Sequence, residues 1–210
     1  MSTLVLTLAA PLQSWGADSK FERRNTEREP TKSGVIGLIA CAFGYGRDDV
    51  DKIKTLFELK FGVRVDKPGV LLHDYHTAKS EKSAYVTNRY YLSDAKFTVG
   101  LEGNDLALLQ RIADKLLNPV WPLFLGRRSC PPAERVFFEI ADKPLREALH
   151  DPESKWYVFD FDSSLDDDEY PFYRRDNPES FSQRHRKYWN RRIVEVRKRL
   201  DIEHDAFEEV

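Results

Sequence analysis

A strand–helix–strand pattern that occurs twice constrains this chain more than any other feature of its sequence. Residues Thr3 to Leu8 alternate with Leu4, Leu6 and Leu8 on one face, as a half-buried strand requires. From Thr31 the spacing changes. Ser33 is a suitable N-cap, Val35, Ile36, Leu38, Ile39, Ala42 and Phe43 follow at helical intervals, and Gly44 and Gly46 end the run. "FGVRVD" (Phe61 to Asp66) then reads as a second strand. The pattern repeats with a strand over Ala95 to Gly103 and a helix capped by Asn104 or Asp105. That helix buries Leu106, Leu109, Ile112, Ala113 and Leu116, stops at Pro119, and precedes a strand over Glu134 to Ile140.

The order β-α-β, insertion, β-α-β is that of a ferredoxin-like, RRM-like split unit: an antiparallel sheet with its helices on one face. The sequence therefore predicts an α+β fold whose second sheet face is free to hold a ligand. The insertion, about residues 71–94, has no helical stripe and reads as an extended β-hairpin arm. Residues 1–143 would form the core, and residues 144–210 a small C-terminal region. In that region we expect a short helix from Pro144 to His150, a strand in "KWYVFDF" and an acidic turn from Asp160 to Glu169. A basic helical tail would follow, with Trp189, Ile193, Val196 and Leu200 as its apolar stripe.

At 210 residues and 41% hydrophobic, the chain can bury a core of ordinary domain size. Its 33 Lys and Arg nearly cancel 35 Asp and Glu, leaving a formal charge of -2, so a nucleic-acid role must rest on where the cations lie. Two cysteines, Cys41 and Cys130, are too few for a disulfide framework, and Cys41 in an apolar run reads as a buried free thiol. Leu4 to Leu12 has no basic segment before it and no cleavage site after it, and no apolar run approaches the ~18 residues of a membrane span. A cytoplasmic chain without a membrane partner is expected.

Three stretches carry candidate chemistry. "LGRRSCPP" places Gly126, Arg127, Arg128 and Ser129 in a turn where backbone N–H groups and guanidinium forks can meet a phosphate; its bland alternative is a polar turn. Thr31, Lys32 and Ser33 open a helix whose N-terminus favours an anion, without the spacing of a Walker loop. "HDYHTAKSEKSAYVTNRYY" interleaves His73, Tyr75, His76, Lys79, Lys82, Arg89, Tyr90 and Tyr91, a mixture suited to single-stranded RNA, where cations meet phosphates and rings stack on bases. The same histidines allow metal-free RNA cleavage, with His73 or His76 as general base. H-x-x-H alone is a poor metal site, and neither a G-x-S-x-G motif nor a cysteine–base pair is present, so no cofactor, metal or catalytic residue is assigned.

Five motifs in order, "LTLAAPLQSWG", "PTKSGVIGLIACAFG", "DYHTA", "RYYLSDAKFTVGL" and "LGRRSCPP", resemble the CasD family (the fifth Cas family, of the RAMP superfamily) of the type I-E CRISPR Cascade complex. The match is close over about residues 2–140 and looser in "YPFYRRDNPESF". The resemblance implies a RAMP core with a hairpin thumb on His73 to Asp94, a glycine-rich loop at Gly126, Arg127 and Arg128, and a tryptophan–glycine turn at Trp15 and Gly16. It further implies a non-catalytic subunit that binds the 5′ handle of the CRISPR RNA and contacts the backbone subunit CasC and the large subunit CasA, meeting target DNA only through the assembled complex. In type I-C relatives the equivalent subunit is itself the processing endoribonuclease, which keeps the enzyme reading as the alternative. A pure protein adaptor is the third. For the charged loop between Trp15 and Thr31, its ends Trp15-Gly16 and Thr31-Lys32-Ser33 are expected to meet RNA while its middle faces a partner or solvent.

Overall fold

The computed structural model of the protein describes residues 1–16, 23–79, 84–154, 156–162, 170–182 and 184–197. Lys82, most of the acidic turn and the end of the tail with Leu200 lie outside them. In chain order the elements are β1 (Ser2–Ala9), β2 (Leu12–Gln13), β3 (Arg23–Arg24), α1 (Lys32–Phe43), α2 (Val50–Phe57), β4 (Lys60–Lys67), β5 (Val70–Lys79) and β6 (Ala84–Ser93). There follow β7 (Lys96–Gly103), α3 (Leu106–Leu117), β8 (Phe137–Ala141), α4 (Leu145–Ala148), β9 (Trp156–Asp160), β10 (Phe172–Ser180) and β11 (Lys187–Arg197).

The strand order β8-β1-β7-β4, antiparallel throughout, is the ferredoxin-like core that the sequence pattern predicts. Its register builds three buried rows across the sheet: Leu4–Leu101–Phe61, Leu6–Val99–Val63 and Leu8–Phe97–Val65. Val35, Ile36 and Ile39 of α1 and Leu109, Ile112 and Leu116 of α3 close over these rows. Each such side chain contributes roughly 1.5–3 kcal/mol relative to exposure. The first helix is capped two residues earlier than expected: Thr31, not Ser33, has extended backbone, and its Oγ1 accepts the Gly34 N–H at 3.2 Å. Helix α2 was not anticipated, although Val50, Ile53, Leu56 and Phe57 carry helical spacing.

The second sheet face is not open. At its centre Val5 lies opposite Gly100, which pairs with Gly62, and the space left by these two glycines receives Leu145 and Leu149 from α4 and its end. With Tyr157, Phe159 and Val194 they make a second core. A ligand surface must therefore lie off the main sheet.

Nor is the tail helical over its described part. β9 pairs with β4, β11 with β9, and β10 forms the edge, extending the same sheet to seven strands. Ile193 and Val194 are consecutive and both buried, which a strand between two layers permits, and Trp189 of the supposed apolar stripe is 56% exposed. Among the described residues no helix is long and apolar enough to cross a membrane.

Candidate nucleic-acid interface

The insertion forms the expected hairpin, β5 against β6, with β2 and β3 along the other edge of β6. Strand alternation sorts its side chains into two sets. His73 stands opposite Tyr90 and Tyr75 opposite Asn88, so these residues and Lys79 share one face; His73 Nε2 lies 2.8 Å from Asn88 Oδ1 and its ring stacks on Tyr90 at 4.7 Å. His76, Thr87, Arg89 and Tyr91 share the other, where His76 lies 3.9 Å from the Asp74 carboxylate. Two histidines that look adjacent in sequence thus occupy opposite faces.

The second set meets the loop after α3. Leu125 donates its N–H to the Cys130 carbonyl at 2.7 Å and accepts one from Ser14 at 3.2 Å, so the loop is closed on itself and fastened to the end of β2. Gly126 has φ +88°, and a β-carbon there would overlap the Ser14 carbonyl, so only glycine fits this turn. Arg127 donates to the Arg24 carbonyl at 2.8 Å and lies 4.5 Å from the centre of the Tyr91 ring. Burial opposes ionisation of the Tyr91 phenol, but hydrogen bonds from Arg127, Ser129 and Arg89 outweigh it and hold the pKa below the usual tyrosine value. Arg128 and Ser129 are exposed. Among the described residues, none of Arg24, Arg89, Arg127 and Arg128 makes an ion pair. This concentration of cations without an ion pair among the described residues, Arg89 having only Asp74 across from it in the hairpin, suits a polyanion.

The expected anchors of the charged loop belong elsewhere. Trp15 is 1% exposed, donates from Nε1 to Gln13 Oε1 at 3.0 Å and packs under Gly34, so it has no ring face left for a base. Thr31 is spent on its cap, and Ser33 is buried beside it. The Lys32 N–H, where a phosphate would sit on the helix N-terminus, already donates to Asp176 Oδ2 at 3.0 Å. Lys32 Nζ is buried 3.4 Å from Asp160; burial lowers its pKa despite that carboxylate. Of this group only Gly16 is exposed. Glu29 is likewise buried against Arg174. Cys41, expected to be buried, is half-buried, and Cys130 is buried; both are free, with burial raising both pKa values.

Sequence reasoning missed Trp121, exposed to 59% just before the loop, because an isolated Val-Trp between prolines carries no periodic signal. Arg24, in the middle of the charged loop that was expected to face a partner or solvent, instead holds Arg127 through its backbone carbonyl.

The model of the family described as CRISPR-associated protein (Cas_Cas5) matches residues 3–194. The Cascade subunit CasD of Escherichia coli (strain K12) is 35% identical over 156 residues, 65% of this chain and 70% of that protein. A solved chain described as part of a CRISPR RNA-guided surveillance complex superposes with a TM-score of 0.76 at 33% identity, covering 93% of this chain and 89% of the other. A second, described as a Cas protein, gives 0.72 at 36% identity and covers 93% and 94%. The chain belongs to the CRISPR-associated Cas5 family.

Proposed function

We propose that the chain is the guide-RNA-binding subunit of a type I-E Cascade complex, capping the 5′ handle of the CRISPR RNA and bridging the backbone subunit CasC and the large subunit CasA. The observation that carries this is the cluster of Arg24, Arg89, Arg127 and Arg128 at the junction of thumb and loop, without an ion pair among the described residues, in a chain whose net charge is -2. The similarity to E. coli CasD and to a chain of an RNA-guided complex supports the same reading. Phosphates of the handle would take the arginines, with Arg128 the freest, while Tyr75, Tyr90 and Lys79 on the far face of the thumb would engage bases and backbone further along.

In this role the chain is non-catalytic. His73 is held by Asn88 and Tyr90 on one face of the hairpin and His76 lies on the other, so the pair does not converge on one phosphate as acid and base. The test is reconstitution of the complex with and without this chain, followed by 5′ exonuclease digestion of the guide. Protection of the handle only when the chain is present is expected; equal digestion would contradict the capping role. Incubated alone with repeat RNA in chelator, the chain should leave it intact, and specific cleavage lost in His76→Ala would establish the endoribonuclease instead.

A further inference from the structure

Trp121 stands on a rigid piece of backbone. The Val120 N–H donates to the Ala42 carbonyl at 2.9 Å, the Val120 side chain packs on Gly44 at the end of α1, and the Trp121 and Pro122 carbonyls lie 3.9 and 3.7 Å from the Cys41 thiol. Prolines flank the pair on either side. The backbone is thus fixed while the indole remains 59% exposed, with no ring contact or hydrogen bond of its own among the described residues. An aromatic side chain of this size normally buries most of its area, and its display here has no folding benefit.

Arg128 is exposed on the loop that follows Trp121 in the chain. Arg127 turns toward Tyr91 and Arg24, whereas Arg128 makes no ion pair among the described residues. The short loop therefore presents one guanidinium to the thumb and leaves the next exposed.

We propose that Trp121 is a stacking platform for an unpaired base of the bound RNA, with Arg128 holding the phosphate beside it. The inference rests on the RNA-binding reading above. A ring of this kind tolerates any base, because every base offers a π face, while the arginine supplies the salt-dependent part of the binding.

The test is equilibrium binding of the full-length chain to RNA bearing the 5′ handle, as a function of salt. Trp121→Ala is expected to weaken binding about tenfold or more without changing the salt slope, since stacking releases no counterions. Trp121→Phe should restore most of the loss, and Arg128→Ala should make the slope less negative by about 0.7. Melting temperatures of the Trp121 variants should match the wild type, because the indole is exposed. If wild-type protein binds the RNA and Trp121→Ala binds it equally well, the stacking role is overturned and the RNA-binding reading stands. If that variant keeps its RNA affinity but no longer joins the complex, the indole is a protein contact and the proposal fails. If wild type binds no RNA, the functional reading itself falls.

Discussion

Arg191 grips Asp176 through two parallel hydrogen bonds, Nε to Oδ1 at 2.8 Å and Nη2 to Oδ2 at 2.7 Å, and sends Nη1 to Asp160 at 2.7 Å. Asp176 is fully buried, and its Oδ2 also accepts the Lys32 N–H at the start of α1. Burial disfavours the Arg191 charge, but the two carboxylates outweigh it and raise the pKa. The relationship clamps the C-terminal hairpin onto the first helix of the core, on the spot where a phosphate would otherwise bind. Arg191→Ala would leave Asp176 charged and unpaired, and a loss of about 3–5 kcal/mol is expected in urea unfolding. Arg197→Ala, which breaks the exposed pair with Glu195, should change stability by at most about 1 kcal/mol.

Trp15 is a stability residue. Trp15→Ala should cost about 3–5 kcal/mol in the same measurement, as large-to-small changes of buried aromatics do, while the folded protein keeps its RNA affinity. Intact stability with lost RNA binding would reinstate it as a ligand contact.

Gly126 and Gly37 should respond oppositely to alanine. At Gly126 the left-handed backbone alone costs about 1–2 kcal/mol, and the overlap with Ser14 should displace the loop, so Gly126→Ala is expected to lower both the melting temperature and RNA affinity. Gly37 lies within α1 with nothing near its β-carbon position, so Gly37→Ala should stabilise by up to about 1 kcal/mol.

Tyr91 should ionise at lower pH than an ordinary tyrosine, followed by phenolate absorbance, and Arg127→Ala should move its transition upward. Between the lowered folded pKa and the unfolded value near 10, the folded state binds fewer protons than the unfolded one, so stability from this group rises with pH. It is fully present above the unfolded value and lost as pH falls through the folded one. Tyr91→Phe should remove that part of the pH dependence, and identical profiles for the two proteins would contradict the hydrogen-bonded phenol.

The core was legible because period two and period 3.6 leave clear marks: Leu4, Leu6 and Leu8 on a strand, and Leu109, Ile112 and Leu116 on a helix, appear where the pattern puts them. The loop with Gly126 was legible through its unusual composition. The tail misled because Trp189, Ile193 and Val196 satisfy helical spacing by coincidence, while the decisive fact, that β9 offers β11 an edge to pair with, is non-local. Trp15, Thr31 and Lys32 misled for a related reason. An aromatic or a cation looks like a ligand group until its partner is known, and their partners, Gln13, Gly34 and Asp176, are identified only by the fold. The hairpin's residues were found, but the alternation that divides His73 from His76 needs the register.

The most direct measurement is a titration of the full-length chain with CRISPR RNA bearing the 5′ handle, against the same RNA lacking it, across a range of salt concentrations. Tighter binding to the handle is expected, with a salt slope that Arg127→Ala and Arg128→Ala together make less negative by about 0.7 per lost phosphate contact. Equal affinity for the two RNAs, or a slope unchanged by removing both arginines, would contradict handle recognition at the junction of thumb and loop.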